Sequence, residues 1–236
     1  MRFRVLIVSV AAVAALGSQA AAQEPTAEEI MGKVRHANAL ANSEFTGTLE
    51  NRSTRTKDRF RMRMVDGTVR WDFGGASPMA LLLEFGEKGS ELYEESGGRK
   101  RLVPPERLGE KFRGSDLNYE DLSMRFLYWP KPRKEGVQPV KRQDCWVVLL
   151  LAPDKKGPYQ WVRVWVEQKG GGIMKMQAFD RRNNKVKEYE VTKAQKDGDG
   201  NWVLERMQVN SFQPGSRRPT GLSFLDLDKP LRKGGR

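Results

Sequence analysis

The sequence predicts a mainly β (α+β) protein built on an antiparallel sheet that is strongly curved or partly closed. Three observations carry that prediction. From Phe45 onward, apolar and polar residues alternate at period two over many short runs. Turn signals separate the runs at hairpin spacing, among them Asp66-Gly67, Gly97-Gly98, Gly170-Gly171-Gly172 and Asn183-Asn184. Helical periodicity is confined to one stretch near the start and one in the middle. Counting the runs gives about ten to twelve strands, the pattern of an all-antiparallel architecture.

The first 22 residues stand apart from this pattern. Arg2 and Arg4 are followed by an apolar stretch from Val5 to Leu16, then by Ala20-Ala21-Ala22. That is the layout of a secretory signal, with small residues at the −3 and −1 positions of a cleavage site. The apolar stretch is shorter than the about 20 residues that span a bilayer. We expect cleavage after about Ala22, export to the periplasm, and a single domain over residues 23–236.

"PTAEEIMGKVRHANALAN" reads as the first helix. Thr26 and Glu29 have the spacing of a capping box, in which each side chain satisfies a free backbone donor of the first turn. Ile30, Val34, Ala37 and Ala41 form one apolar stripe, which must lie on the sheet.

The strands then follow in order. In "DRFRMRMV", Phe60, Met62 and Met64 share one face and Arg59, Arg61 and Arg63 the other. "TVRWDF" puts Val69, Trp71 and Phe73 inward, and "MALLLEF", "SELYEE" and "RKRLV" continue the run until Pro104-Pro105. A second run starts at Asp144. "DCWVVLLLAP" is apolar on both faces, as expected of a central, doubly covered strand. "YQWVRVWVEQ", "IMKMQAFD", "KVKEYEVT", "NWVLERMQVNSF" and "PTGLSFLDL" complete it.

Between the two runs lies "GSDLNYEDLSMRFLYW". Tyr119, Leu122, Phe126 and Trp129 recur at three- and four-residue spacing, and Asn118 can cap with Asp121 three residues later. A short helix or two turns docked by aromatics accounts for these acids without chemistry.

Charge and composition narrow the function. The chain carries 42 Lys+Arg against 30 Asp+Glu, a formal charge of +12. Losing Arg2 and Arg4 with the signal leaves +10. In an exported protein this points away from nucleic acid and toward anionic headgroups or acidic partners. Cys145 is the one cysteine, sits in the apolar "CWVVLLL", and reads as a buried, inert thiol.

Catalytic arrangements fare poorly. His36, the one histidine, falls on the polar side of the first helix, so a triad has no base. One His and one Cys far apart leave no zinc set. Asp197, Asp199 and Asn201 imitate the start of a calcium loop, but Trp202 and Gln208 stand where glycine and glutamate are needed. Asp116, Glu120 and Asp121 are a formal carboxylate set for a hydrolase, yet all three lie on one element rather than across a cleft. We expect no metal, no cofactor and no enzymatic activity.

What stands out is a surplus of large, soft side chains on strands. Phe60, Met62 and Met64, then Trp71 and Phe73, then Leu81 and Leu83 are candidates to line an apolar cavity. Trp161 and Trp165, with Met174 and Met176, extend that set in the second run. Methionine adapts to irregular apolar partners, and a curved sheet can enclose a greasy pocket. The alternative for each residue is ordinary core.

The signal, the early amphipathic helix, the long meander and "FRGSDLNYEDL" followed by aromatics resemble the outer-membrane lipoprotein-sorting protein family of the LolA-like superfamily. "CWVVLLLAP", "YQWVRVWVEQ", "MKMQAFDRRNNKVKEYEV" and "VLERMQVNS" extend the likeness over most of the chain. The resemblance implies an incomplete β-barrel whose concave side is closed by helices over an apolar cavity. It implies a periplasmic carrier or binder of lipid or lipoprotein acyl chains, with an inner-membrane transporter or outer-membrane acceptor as partner. The alternatives are an envelope accessory module and, last, a carboxylate hydrolase.

Overall fold

The computed structural model describes residues 24–40, 43–197, 200 and 202–231. The signal-like segment, the apolar stripe positions Ala37 and Ala41, most of the calcium-loop mimic and the basic tail therefore lie outside the described residues or side chains.

The first helix, α1 (Ala27–Leu40), begins as its sequence requires. Thr26 N donates to Glu29 Oε2 (2.7 Å) and Glu29 N to Thr26 Oγ1 (3.2 Å), a reciprocal cap. Ile30, Met31 and Val34 are buried, and His36 is exposed.

Among the described residues thirteen strands follow and form a single antiparallel sheet. The first six are β1 (Ser43–Asn51), β2 (Thr56–Val65), β3 (Thr68–Phe73), β4 (Met79–Phe85), β5 (Ser90–Ser96) and β6 (Arg99–Leu102). The second run comprises β7 (Arg133–Val140), β8 (Gln143–Leu151), β9 (Trp161–Glu167), β10 (Ile173–Phe179), β11 (Lys185–Lys196), β12 (Trp202–Ser211) and β13 (Gly221–Leu227). Each run is a meander, and β13 pairs with β1 to join them, giving the order β6-β5-β4-β3-β2-β1-β13-β12-β11-β10-β9-β8-β7. The edges β6 and β7 do not pair, so the sheet stays open.

The connection between those two edges crosses the concave side. It contains a 3-10 turn (Pro105–Arg107), α2 (Tyr119–Ser123) and a second 3-10 turn (Arg125–Tyr128). Leu108, Phe112, Leu117, Tyr119, Phe126, Leu127 and Trp129 from this crossover are buried in one core cluster with α1 and the inward faces of the strands. A sheet this wide cannot shield its own concave face, so the crossover and α1 supply the second layer.

Two details differ from the sequence expectation. β7, "RKEGVQPV", was not anticipated: its polar residues, Gly136 and Pro139 hide the strand pattern. Those features suit an edge strand, where a missing N–H breaks no ladder on the open side. β8 is not central but next to that edge. Its outward side chains are covered differently: Cys145 and Val147 are buried together with Val140 and Trp165, and Met174 packs against them.

Candidate functional site

Two regions of the concave side merit description: the apolar wall of the sheet, and the acidic crossover docked on it.

Eight of the eleven candidate lining residues share the concave wall. Phe60, Met62, Trp71, Phe73, Leu81, Leu83 and Met176 are buried there, and Met64 is half-buried against them. The crossover reaches this wall through rings. Phe60 meets Phe73 with centroids 5.5 Å apart, Phe73 meets Phe112 at 5.1 Å, and Phe112 meets Tyr119 at 5.7 Å. The other three face outward. Trp165 and Met174 belong to the second cluster, and Trp161 stacks on Phe179 at 3.5 Å. Alternation along β9 puts Val162, Val164 and Val166 inward instead.

Part of the wall near its centre is only half-buried. Val191, Met207 and Leu225 are direct cross-strand partners on β11, β12 and β13, and all three are only half-buried. Val203 and Leu204 on β12 are half-buried as well. Sequence reading missed this row because its residues are few, small or scattered among charges, and only pairing brings them together.

The crossover acids are built into the fold. Asn118 and Asp121 form the cap of α2: Asp121 N donates to Asn118 Oδ1 (2.9 Å) and Asn118 N to Asp121 Oδ2 (2.7 Å). The same Asp121 carboxylate accepts from Lys187 Nζ (2.6 Å) and from the Tyr159 hydroxyl (2.5 Å). Asn118 Nδ2 donates to Tyr159 (3.0 Å). Burial, with Asp121 adjacent, holds the Tyr159 and Tyr189 hydroxyls well above the usual tyrosine range. Both oxygens of the Asp121 carboxylate are thus hydrogen-bonded, Oδ1 by Tyr159 and Oδ2 by Asn118 N and Lys187, which is what makes a buried ion pair tolerable.

Asp116 is held separately. Ser223 Oγ donates to Asp116 Oδ2 (2.9 Å) and accepts from Asp116 N (2.9 Å), which ties the crossover to β13. Gly221 leaves room for the carboxylate: a Cβ there would collide with Asp116 Oδ1.

Glu120 is the exception. It is buried, Oε1 has no hydrogen-bond partner among the described residues, and Arg125 Nη1 approaches Oε2 at 3.5 Å. Burial pushes its carboxyl up to about 7. Gly157, at φ +80°, packs so close that a Cβ would lie 2.5 Å from Oε2.

The carboxylates thus point to different anchors rather than into a shared cleft. Among the described residues no group of three or more His, Cys, Asp or Glu is placed to hold a metal ion, and no helix is long and apolar enough to cross a membrane. Two grooves lie elsewhere. One of about 360 Å³ is lined by Glu50, Arg52, Arg55 and Lys57. One of about 940 Å³ runs along β1, β2 and β13 and is lined mainly by polar residues, Arg59, Arg61, Asp72 and Asp226 among them.

A family model described as an uncharacterized protein matches residues 87–233, more than half of the 236. The chain belongs to that family. The match takes in the whole crossover and β7 to β13. No curated protein matches the chain. Among solved structures, a domain named for outer-membrane lipoprotein sorting from Vibrio parahaemolyticus is similar at 17% identity and a TM-score of 0.67, covering 87% of this chain and 92% of that one. A DUF1329 family protein from Desulfovibrio piger has 14% identity and a TM-score of 0.68, with 90% and 95% covered. A LolA superfamily protein from Nitrosomonas europaea has 15% identity and a TM-score of 0.63, with 88% and 93% covered. These likenesses establish the fold: an open, curved antiparallel sheet of the LolA type, as the resemblance in sequence implied.

Proposed function

We propose that the protein is a periplasmic binder or carrier of lipid or lipoprotein acyl chains, which lie on the concave wall beside α1. The observation that carries this reading is the half-buried row Val191, Met207 and Leu225, direct partners across three neighbouring strands. A contiguous apolar strip left partly open on a concave face is the surface an acyl chain would cover. Met207 adds a side chain that adapts to flexible cargo. The buried candidates from Phe60 to Leu83, with Met176, form the wall behind it. In this reading the partners are an inner-membrane donor and an outer-membrane acceptor, the protein needs no cofactor, and the crossover acids serve the fold rather than a reaction.

Solvent extraction of the purified protein followed by mass spectrometry should recover lipid. A fluorescent fatty acid should bind and be displaced by unlabelled lipid. Met207→Gln with Leu225→Gln should weaken the probe about tenfold, the equivalent of about 1.4 kcal/mol of apolar contact. Absence of both co-purified lipid and displaceable probe would sink the reading.

A further inference from the structure

The antiparallel order sorts the hairpins into two sets, one at each end of the sheet, and charge follows that sorting. At one end lie the loops over 52–55, 74–78, 97–98, 152–160, 180–184 and 212–220. Four of these loops carry a pair of cations. Arg52 and Arg55 belong to the first, and Lys155 and Lys156 to the fourth. Arg181 with Arg182, and Arg217 with Arg218, complete the set, against Asp154 and Asp180 as the acids: eight basic residues to two acidic. The opposite end holds the loops over 66–67, 86–89, 141–142 and 168–172 and Asp197 after β11, where the described residues include four basic (Lys88, Lys141, Arg142, Lys169) and three acidic (Asp66, Glu87, Asp197).

All eight cations are exposed. Arg55, Lys155, Lys156, Arg217 and Arg218 make no salt bridge among the described residues, whereas most strand arginines are paired, as Arg70 is with Glu95 and Arg206 with Asp226. The loops are also held to one another. Arg181 donates to the carbonyls of Lys155 and Gly157, and Arg52 N donates to Leu222 O (2.9 Å) at the start of β13. The groove of about 360 Å³ opens at this rim, with Arg52, Arg55 and Lys57 facing the single acid Glu50.

We propose that this rim docks the protein on an anionic lipid bilayer through phosphate headgroups. The cations are spread over several loops of one rim rather than focused on one pocket, which suits a planar array of charge. The four loops lack large exposed apolar residues, so attachment is electrostatic and reversible rather than by insertion. The inference rests on topology and charge and stands apart from the acyl-chain reading.

Flotation with vesicles tests it. Purified protein should bind vesicles of phosphatidylcholine with about 30% phosphatidylglycerol at low salt, and should be released by about 0.5 M NaCl. It should not bind pure phosphatidylcholine. Each cation near an anionic leaflet contributes roughly fivefold to partitioning. Lys155→Gln, Lys156→Gln, Arg217→Gln and Arg218→Gln together should therefore lower binding by about 600-fold. A control with Lys88, Lys141, Arg142 and Lys169 all changed to Gln removes the same charge from the other end and should retain binding. Equal loss in the control would overturn the proposal, since total charge would then suffice. Failure to bind anionic vesicles would overturn it too, as would binding to polyglutamate in place of vesicles, which would indicate an acidic protein partner. Fatty-acid displacement should be unchanged in both variants.

Discussion

Asp121 and Lys187 form a buried ion pair, with Oδ2 and Nζ 2.6 Å apart, that joins the capping residue of α2 to an inward position of β11. The pair is separated by 66 positions in the chain. It fastens the crossover to the far half of the sheet. Removing one partner leaves the other charge buried and unmatched, at a cost of about 3–5 kcal/mol. Lys187→Met should lower stability by that amount in urea unfolding. Asp121→Asn with Lys187→Met should lower it by less than the two single changes added together. Additive losses would show that the pair is not coupled.

Glu120 makes stability depend on pH. Its folded value is raised to about 7 from an ordinary 4.5, so between those values the folded protein holds a proton that the unfolded chain has released. Stability from this group is therefore full at low pH, falls as pH rises from about 4.5 to about 7, and then levels off. Glu120→Gln should be near neutral at pH 4 and stabilising at pH 8 by on the order of 3 kcal/mol. Destabilisation at both pH values would mean that the contact with Arg125 outweighs the burial of charge.

Gly157 serves the same carboxyl. Gly157→Ala places a methyl at a positive φ and against Glu120, and should cost about 2–3 kcal/mol. In a Glu120→Ala background the steric part should vanish, leaving about 1 kcal/mol of backbone strain. Thermal melts of the four proteins in this cycle would separate the two contributions.

Cys145 is fully buried, and burial raises its thiol above the usual range. A thiol reagent should leave it unmodified in the native protein and react in full on unfolding. Fast labelling of the native protein would mean that the cluster under Trp165 opens.

Much of the architecture was legible in the chain because a half-buried strand must alternate. Phe60 and Met62, Trp71 and Phe73, and the Thr26–Glu29 and Asn118–Asp121 caps all depend on neighbours at fixed short spacing, and each was read from its own segment. β7 escaped because an edge strand is under little pressure to look like one. Trp161, Trp165 and Met174 were large and apolar but face outward, and composition cannot say which face of a strand is concave.

The sequence by itself determined every element but β7, most of the hairpins and the local caps, because periodicity, turn residues and capping act over a few positions. Only the tertiary structure decided where the crossover goes and what its acids touch. Asp116 is held by Ser223 and Lys111, Glu120 meets Arg125 and packs on Gly157, and Asp121 is held by Lys187 and Tyr159. Most of these lie far along the chain and meet the crossover only when β13 pairs with β1 and the sheet curves around it. The row Val191, Met207 and Leu225, and the basic rim, likewise exist only once the strand order is set, since register and order, and not spacing in sequence, bring those residues side by side.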